Sequence, residues 1–164
     1  MKKKKSVMIT MGSDSDLPVM NEAGKALSEF GIDFEVRILS AHRTPKEMMG
    51  FAEKARADGF QVIIAGAGGA AHLPGMIAAV TELPVIGVPV AVGPLEGQDA
   101  LLSIVQMPKG VPVACVAIGL AWNAGILAAQ ILGVKDSAIL DRVKAYKEGL
   151  RKFVLKKKIK SSKN

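Results

Sequence analysis

The composition of this chain favours a single aliphatic domain and argues against several other classes of protein. Its 164 residues are 49% hydrophobic but only 4% aromatic, which is typical of parallel strands covered by helices on both faces. The formal charge of +7 is concentrated in Lys2 to Lys5 and in the residues from Arg151 onward, and the single Cys115 excludes a disulfide framework and disfavours a thiolate metal site.

Short apolar runs alternate with amphipathic segments along the whole chain. The predicted strands are Val7–Met11, Phe34–Leu39, Val62–Ala65, Val85–Val88 and Val113–Ile118. The predicted helices are Leu17–Phe30, a segment that begins after Thr44 and ends at Gly59, Leu73–Glu82, Asp99–Gln106, Asn123–Leu132 and Asp136 to about Lys158. This alternation predicts an α/β fold, a three-layer doubly wound parallel sheet of the flavodoxin-like or Rossmann-like kind, with an extra long C-terminal helix.

The pattern predicts one domain over residues 1–164, with basic tails at 1–5 and 159–164. Residues 6–150 are acidic overall, and no aromatic residues interleave with the basic ones, so we expect neither nucleic-acid nor membrane binding. The uncharged stretch 110–134 is interrupted by polar and helix-breaking residues and predicts a buried strand and helix rather than a membrane span. The first apolar run, Val7–Met11, is too short for a signal peptide, so a cytoplasmic protein is expected.

The last predicted helix has little sheet left to cover. Its apolar residues nevertheless recur at helical spacing: Ala138, Ile139, Val143, Tyr146, Leu150, Phe153 and Val154. We therefore expect this helix to pack on another subunit, which makes the protein a homo-oligomer.

Hydroxyls and carboxylates follow the first predicted strand, in Gly12-Ser13-Asp14-Ser15-Asp16. In an open parallel sheet this is the crevice side, where ligands bind. Free N–H groups and serine hydroxyls at a helix start attract phosphate, and a carboxylate suits ribose hydroxyls. The alternative is a helix cap alone. A magnesium-binding receiver domain is disfavoured because no lysine follows the fifth strand.

A histidine beside an arginine follows the second strand, in Ser40-Ala41-His42-Arg43-Thr44-Pro45. Arg43 can bind an anion, and His42 is suited to general acid–base work near neutral pH. Thr44, Pro45 and Glu47 predict a capping box at the start of the second helix.

A glycine-rich segment, Gly66-Ala67-Gly68-Gly69-Ala70-Ala71-His72, follows the third strand. It matches the dinucleotide pattern only loosely, and we expect its glycines to let a small planar ligand approach the main chain. His72 either lines the pocket or caps the next helix. Two histidines and one cysteine so far apart in sequence make no convincing metal site, so no metal is expected.

These three segments, together with Leu101-Leu102-Ser103-Ile104-Val105-Gln106-Met107-Pro108, closely resemble class I PurE, the N5-carboxyaminoimidazole ribonucleotide mutases of purine biosynthesis. The resemblance implies movement of a carboxylate from the exocyclic nitrogen to ring carbon C4, with no metal or organic cofactor. It implies His42 as proton shuttle, Asp16 on the ribose hydroxyls, and a phosphate site of Ser13, Ser15, Ser40 and Arg43. Ala67, Gly68, Gly69 and His72 would border the imidazole and its CO2, and the assembly would be an octamer.

Two alternatives remain at the level of sequence. Class II enzymes carboxylate aminoimidazole ribonucleotide directly with CO2, and they differ in the segments that match Arg43-Thr44-Pro45 and the glycine-rich loop. The second alternative is a catalytically silent nucleotide-binding module, because the rim differs from the family pattern: the segment 117–124 is about two residues shorter, with Trp122 in place of a small residue, and the segment 90–97 is unusual.

Overall fold

The architecture is a five-stranded parallel sheet between two layers of helices. The computed structural model describes residues 5–157. The strands are β1 (Val7–Met11), β2 (Phe34–Ile38), β3 (Val62–Gly68), β4 (Val85–Val90) and β5 (Ala114–Cys115). Their spatial order is β2-β1-β3-β4-β5, with every neighbouring pair parallel. This confirms the predicted fold class.

Six α-helices connect and cover the strands within the described residues. They are α1 (Leu17–Glu29), α2 (Pro45–Lys54), α3 (Leu73–Ala78), α4 (Gln98–Val105), α5 (Ala121–Gly133) and α6 (Ser137–Leu155). The predicted α2 and α3 were too long. Helix α2 ends at Lys54, and turns carry the chain from there to Gly59, while α3 ends at Ala78 rather than at Glu82.

Alternate side chains of β1 point into two separate apolar clusters. Val7, Ile9 and Met11 pack against α1, α5 and the first half of α6 on one face. Met8 packs against α2, α3 and α4 on the other face. Because both faces of the sheet are covered over its central strands, β1, β3 and β4 are almost wholly apolar and appear in the sequence as continuous hydrophobic runs. The edge strand β2 alternates apolar and charged residues and is more exposed.

The fifth strand is much shorter than the predicted Val113–Ile118. The register pairs Gly87 of β4 with Cys115 of β5, and Val116 N–H still donates to the Gly87 carbonyl. The next β4 residue on this side is Pro89, whose carbonyl accepts from Gly119 N–H at 2.9 Å. Since proline has no N–H to donate, the ladder loses its next bond and the strand ends.

The last helix is packed against the rest of the chain over its first half. Asp136 caps it by accepting from Ala138 N–H, and Ile139 and Val143 are buried against α5. Trp122 Nε1 donates to Tyr146 Oη at 3.0 Å, and the Tyr146 ring meets Phe30 edge-on at 5.7 Å. The first half of this helix therefore covers α5 and the end of α1 within the chain, and the expectation that the helix also packs on another subunit stays a prediction.

The second half of α6 carries the rest of the predicted stripe, and it is exposed. Leu150 is 49% exposed and Phe153 and Val154 are each 61% exposed. The predicted basic tails lie almost entirely outside the described residues. Lys5, at the boundary, pairs with Glu35 of β2 at 3.0 Å. None of the helices in the range 5–157 is long and apolar enough to cross a membrane.

Candidate active site

A pocket of about 390 Å³ lies at the carboxyl ends of β1, β2 and β3. It is lined by nine of the ten residues predicted for the site, with Gly69 as the exception. Sequence reasoning did not single out the lining residues Gly12, Ala41, Ala70, Leu73 and Val92. The strand order explains the convergence, because residues that follow neighbouring parallel strands emerge at one edge of the sheet.

The segment after β1 forms a tight turn that presents its polar groups to the pocket. Ser13 caps a short 3-10 helix over Asp14–Asp16, and Asp16 returns a bond by accepting from Ser13 N–H at 3.2 Å. The segment therefore both caps this short helix and lines the pocket. Asp14 is turned away, since it accepts from the Ser13 hydroxyl and does not line the pocket.

Asp16 is a buried carboxylate at the floor of the pocket, with only 4% of its surface exposed. Burial raises the pKa of this carboxyl above its ordinary value. The N–H groups of Ser13 and Gly12 and the positive charge of Arg43 oppose that change without cancelling it. A carboxylate that lines a pocket is a strong acceptor for ligand hydroxyls.

Arg43 links the ends of β1 and β2 on the same side of the pocket. Its Nη2 donates to the Gly12 carbonyl at 2.7 Å, and its Nε donates to the Ser40 hydroxyl at 3.3 Å. These bonds hold the guanidinium beside the Ser13 turn. The arrangement gives one fixed positive charge surrounded by hydroxyls and main-chain N–H groups, which is the chemistry that binds phosphate.

The predicted capping box at Thr44 does not form. Thr44 occupies the N-cap position of α2, but its side chain makes no capping bond. Its hydroxyl instead accepts from Ser40 N–H at 2.9 Å and donates to the Ser40 carbonyl at 3.2 Å. Because that bond closes the loop of residues 40–44, Thr44 shapes the segment that carries His42 and Arg43 rather than the helix start.

His42 and His72 meet across the pocket although they lie 30 positions apart in sequence. His42 Nε2 lies 2.7 Å from His72 Nδ1, and the two rings are nearly perpendicular. One proton must lie between two nitrogens at that distance, since two lone pairs or two N–H groups would repel. His72 stands at the N-cap position of α3 without a capping bond, so of its two predicted roles the structure favours the pocket.

The first three residues of the glycine-rich segment, Gly66 to Gly68, belong to β3, which extends three residues beyond the predicted end at Ala65. The segment allows close packing at the end of this strand. A Cβ on Gly68 would lie 2.5 Å from Val92 Cγ2 and 3.0 Å from the Val90 carbonyl, so only glycine fits there. Gly69 adopts a φ of +63° and turns the chain toward His72. Val92 could have been noticed in the sequence, because it follows β4 on the crevice side, but a lone valine carries no chemical signal.

The same motifs recur in known proteins. The family model described as AIR carboxylase matches residues 6–152. The chain belongs to this family. It is 63% identical over 151 residues to a protein of Thermotoga maritima named N5-carboxyaminoimidazole ribonucleotide mutase, covering 92% of this chain and 88% of that one. A mutase of the same name from Saccharolobus solfataricus is 57% identical over 149 residues, covering 91% and 94%.

A solved structure has the same fold. The crystal structure of Treponema denticola PurE superposes with a TM-score of 0.85 at 30% identity, over 96% of this chain and 98% of that chain. The resemblance to PurE drawn from the four motifs is thereby confirmed. Within the part of the chain that the structure describes, no group of three or more His, Cys, Asp or Glu side chains could hold a metal ion.

Proposed function

We propose that this protein is an N5-carboxyaminoimidazole ribonucleotide mutase, acting in purine biosynthesis without a metal or organic cofactor. The observation that carries the proposal is one pocket in which a histidine pair faces a cluster of hydroxyls around a fixed arginine. The hydroxyls around the arginine suit the phosphate of a ribonucleotide. The histidine pair suits the proton movements that a carboxylate transfer between nitrogen and carbon requires. The names of relatives at 57% and 63% identity support the same activity.

The substrate's phosphate binds Ser13, Ser15, Ser40 and Arg43, and its ribose hydroxyls bond to Asp16. The imidazole then lies between the histidine pair and the segment of Ala67, Gly68 and Gly69, whose main chain a planar ring can approach. His42 donates a proton to the carbamate nitrogen, and the N–C bond breaks to release CO2. Ring carbon C4 attacks that CO2 to form the new C–C bond, and His42, which has given up its proton, takes up the C4 proton.

His72 shares a proton with His42 and so determines which nitrogen of His42 donates. Because the proton lost to the carbamate nitrogen returns from C4, the pair ends the cycle in its starting state. The reaction is an isomerisation with no net proton uptake, which one recyclable acid–base pair can perform.

The direct test is to incubate the protein with N5-carboxyaminoimidazole ribonucleotide, without added bicarbonate, and to follow the C4-carboxylated product. Product formed only from aminoimidazole ribonucleotide at high bicarbonate would indicate the class II reaction instead. Binding without turnover would indicate a silent module.

The role of His42 has its own test in His42→Asn. Asparagine can bond to the ligand but cannot carry a proton at neutral pH, so binding should persist while turnover falls by at least about 10²–10⁴-fold. Turnover close to that of the wild type would remove the proton-shuttle role.

We also propose that residues 1–164 form one domain that assembles as a homo-octamer in the cytoplasm. The exposed end of α6 supports assembly, because a cluster of exposed apolar side chains is typical of a surface that another subunit covers. A highly charged nucleotide substrate supports a location inside the cell, since such metabolites do not cross membranes unaided.

Light scattering tests the assembly, with eight copies of 17.2 kDa expected. Phe153→Asp should shift the protein to smaller species. Lys144→Asp is the matched control, since nine residues are about two and a half turns and place it on the opposite side of α6. A fully active monomer would contradict the octamer.

A further inference from the structure

Val92 lines the end of the pocket farthest from the arginine. It is the lining residue that the loop after β4, residues 91–97, contributes to the pocket. Its side chain is held against the main chain of Gly68, where even one added carbon would lie 2.5 Å from Val92 Cγ2. About half of the Val92 surface is exposed, so this valine lies between the pocket and solvent.

The strand order fixes which part of the ligand meets this wall. Arg43 and the Ser13 turn lie over β2 and β1, at one side of the sheet. Gly68 and Val92 lie over β3 and β4, at the other side. A ribonucleotide with its phosphate on Arg43 therefore extends its base toward Gly68 and Val92, past the histidine pair.

The chemistry at this end creates a retention problem. When the N–C bond of the carbamate breaks, the carboxylate leaves as CO2, which has no net charge and no hydrogen to donate. Ionic groups hold such a molecule weakly, so it stays near C4 only if the surrounding surface blocks its escape. An apolar side chain packed on a bare glycine backbone provides such a surface without adding a polar group that competes for the carboxylate.

We propose that Val92 is the wall that retains CO2 between the two half-reactions, and thus sets how much of it reaches C4. This inference rests on the proposed mutase function. The released CO2 has two fates. It is captured by C4, which then loses its proton, or it escapes and leaves aminoimidazole ribonucleotide in the pocket. Val92 is a positioning residue, since it blocks a path and exchanges no proton.

The experiment follows the fate of the carboxylate carbon. Substrate labelled with ¹³C at the carbamate is mixed with excess enzyme for a single turnover, and the label is measured in the C4-carboxylated product and in released CO2. Decarboxylation in an enzyme-free blank is subtracted. The wild type should keep nearly all of the label, whereas Val92→Ala and Val92→Ser should each raise the released fraction severalfold.

Two matched variants separate retention from a general loss of structure. Val92→Thr keeps the branched shape and should keep the label. Leu95→Ala removes a larger exposed side chain from the same loop, outside the pocket, and should also keep it. The proposal is overturned if Val92→Ala slows turnover while its released fraction stays at the wild-type value, or if Leu95→Ala releases as much label.

The same assay distinguishes the two levels of the argument. If the wild type makes no C4-carboxylated product from the labelled substrate, the mutase function itself fails and the role of Val92 fails with it. If the wild type retains the label, and Val92→Ala and Val92→Ser retain it as well, the mutase function stands but Val92 does not retain CO2.

Discussion

Replacing Arg43 tests whether its side of the pocket binds phosphate. The guanidinium is already oriented by its bonds to the Gly12 carbonyl at 2.7 Å and the Ser40 hydroxyl at 3.3 Å, so little side-chain entropy is lost when a ligand binds. A charge-assisted hydrogen bond contributes about 1.5–3 kcal/mol. We therefore expect Arg43→Ala to weaken binding of aminoimidazole ribonucleotide by about 10- to 150-fold.

Arg43→Lys should fall between the wild type and Arg43→Ala, because lysine keeps the charge but cannot span both anchors with one planar group. Arg37→Ala is the control, since Arg37 pairs with Glu35 on the edge strand outside the pocket. Calorimetry with the ribonucleotide and with its dephosphorylated riboside measures the effect. If Arg43→Ala weakened both ligands equally, the loss would not involve phosphate and the assignment would be refuted.

Two further substitutions test the buried carboxylate and the glycine at the end of β3. Burial raises the folded-state pKa of Asp16, so its ionisation opposes folding. The free energy of unfolding of the wild type, relative to that of Asp16→Asn, should therefore rise as the pH falls through the raised pKa toward the ordinary value. Urea titrations at several pH values measure this difference, and the opposite slope would contradict the assignment. Gly68→Ala should lower the free energy of unfolding by about 1–3 kcal/mol, because the added methyl group clashes with Val92. The double variant Gly68→Ala/Val92→Ala should recover part of that loss. Gly50→Ala is the control, since its methyl group would meet nothing within 4 Å, and it should not lower the free energy of unfolding.

The starts of the buried strands were predicted correctly because their apolar runs are continuous, whereas β3 and β4 extend three and two residues beyond their predicted ends. The first strand, Val7–Met11, matches the prediction residue for residue. The error at β5 has a cause outside its own sequence, since the chain from Val113 to Ile118 is apolar enough for a strand. What shortens it is Pro89 on the neighbouring strand, and only the register reveals which amide is missing.

The site was predictable wherever a side chain carries its own chemistry. Hydroxyls, carboxylates, histidines and an arginine after neighbouring strands indicate a pocket before any coordinates are known. The bond between His42 and His72 could not be predicted, because it depends on the crossing of two loops. Thr44 was misassigned because its hydroxyl has two possible partners, and the Ser40 backbone is the one it bonds.

The contact between Trp122 and Tyr146 equips the chain with its own optical probe. The sequence has one tryptophan and one tyrosine, and they meet between α5 and α6 with a hydrogen bond of 3.0 Å. Indole fluorescence depends on the polarity around the ring, so its emission reports whether α6 is seated, while circular dichroism reports the backbone as a whole. Release of the last helix can thus be followed separately from loss of the sheet, without attaching a label.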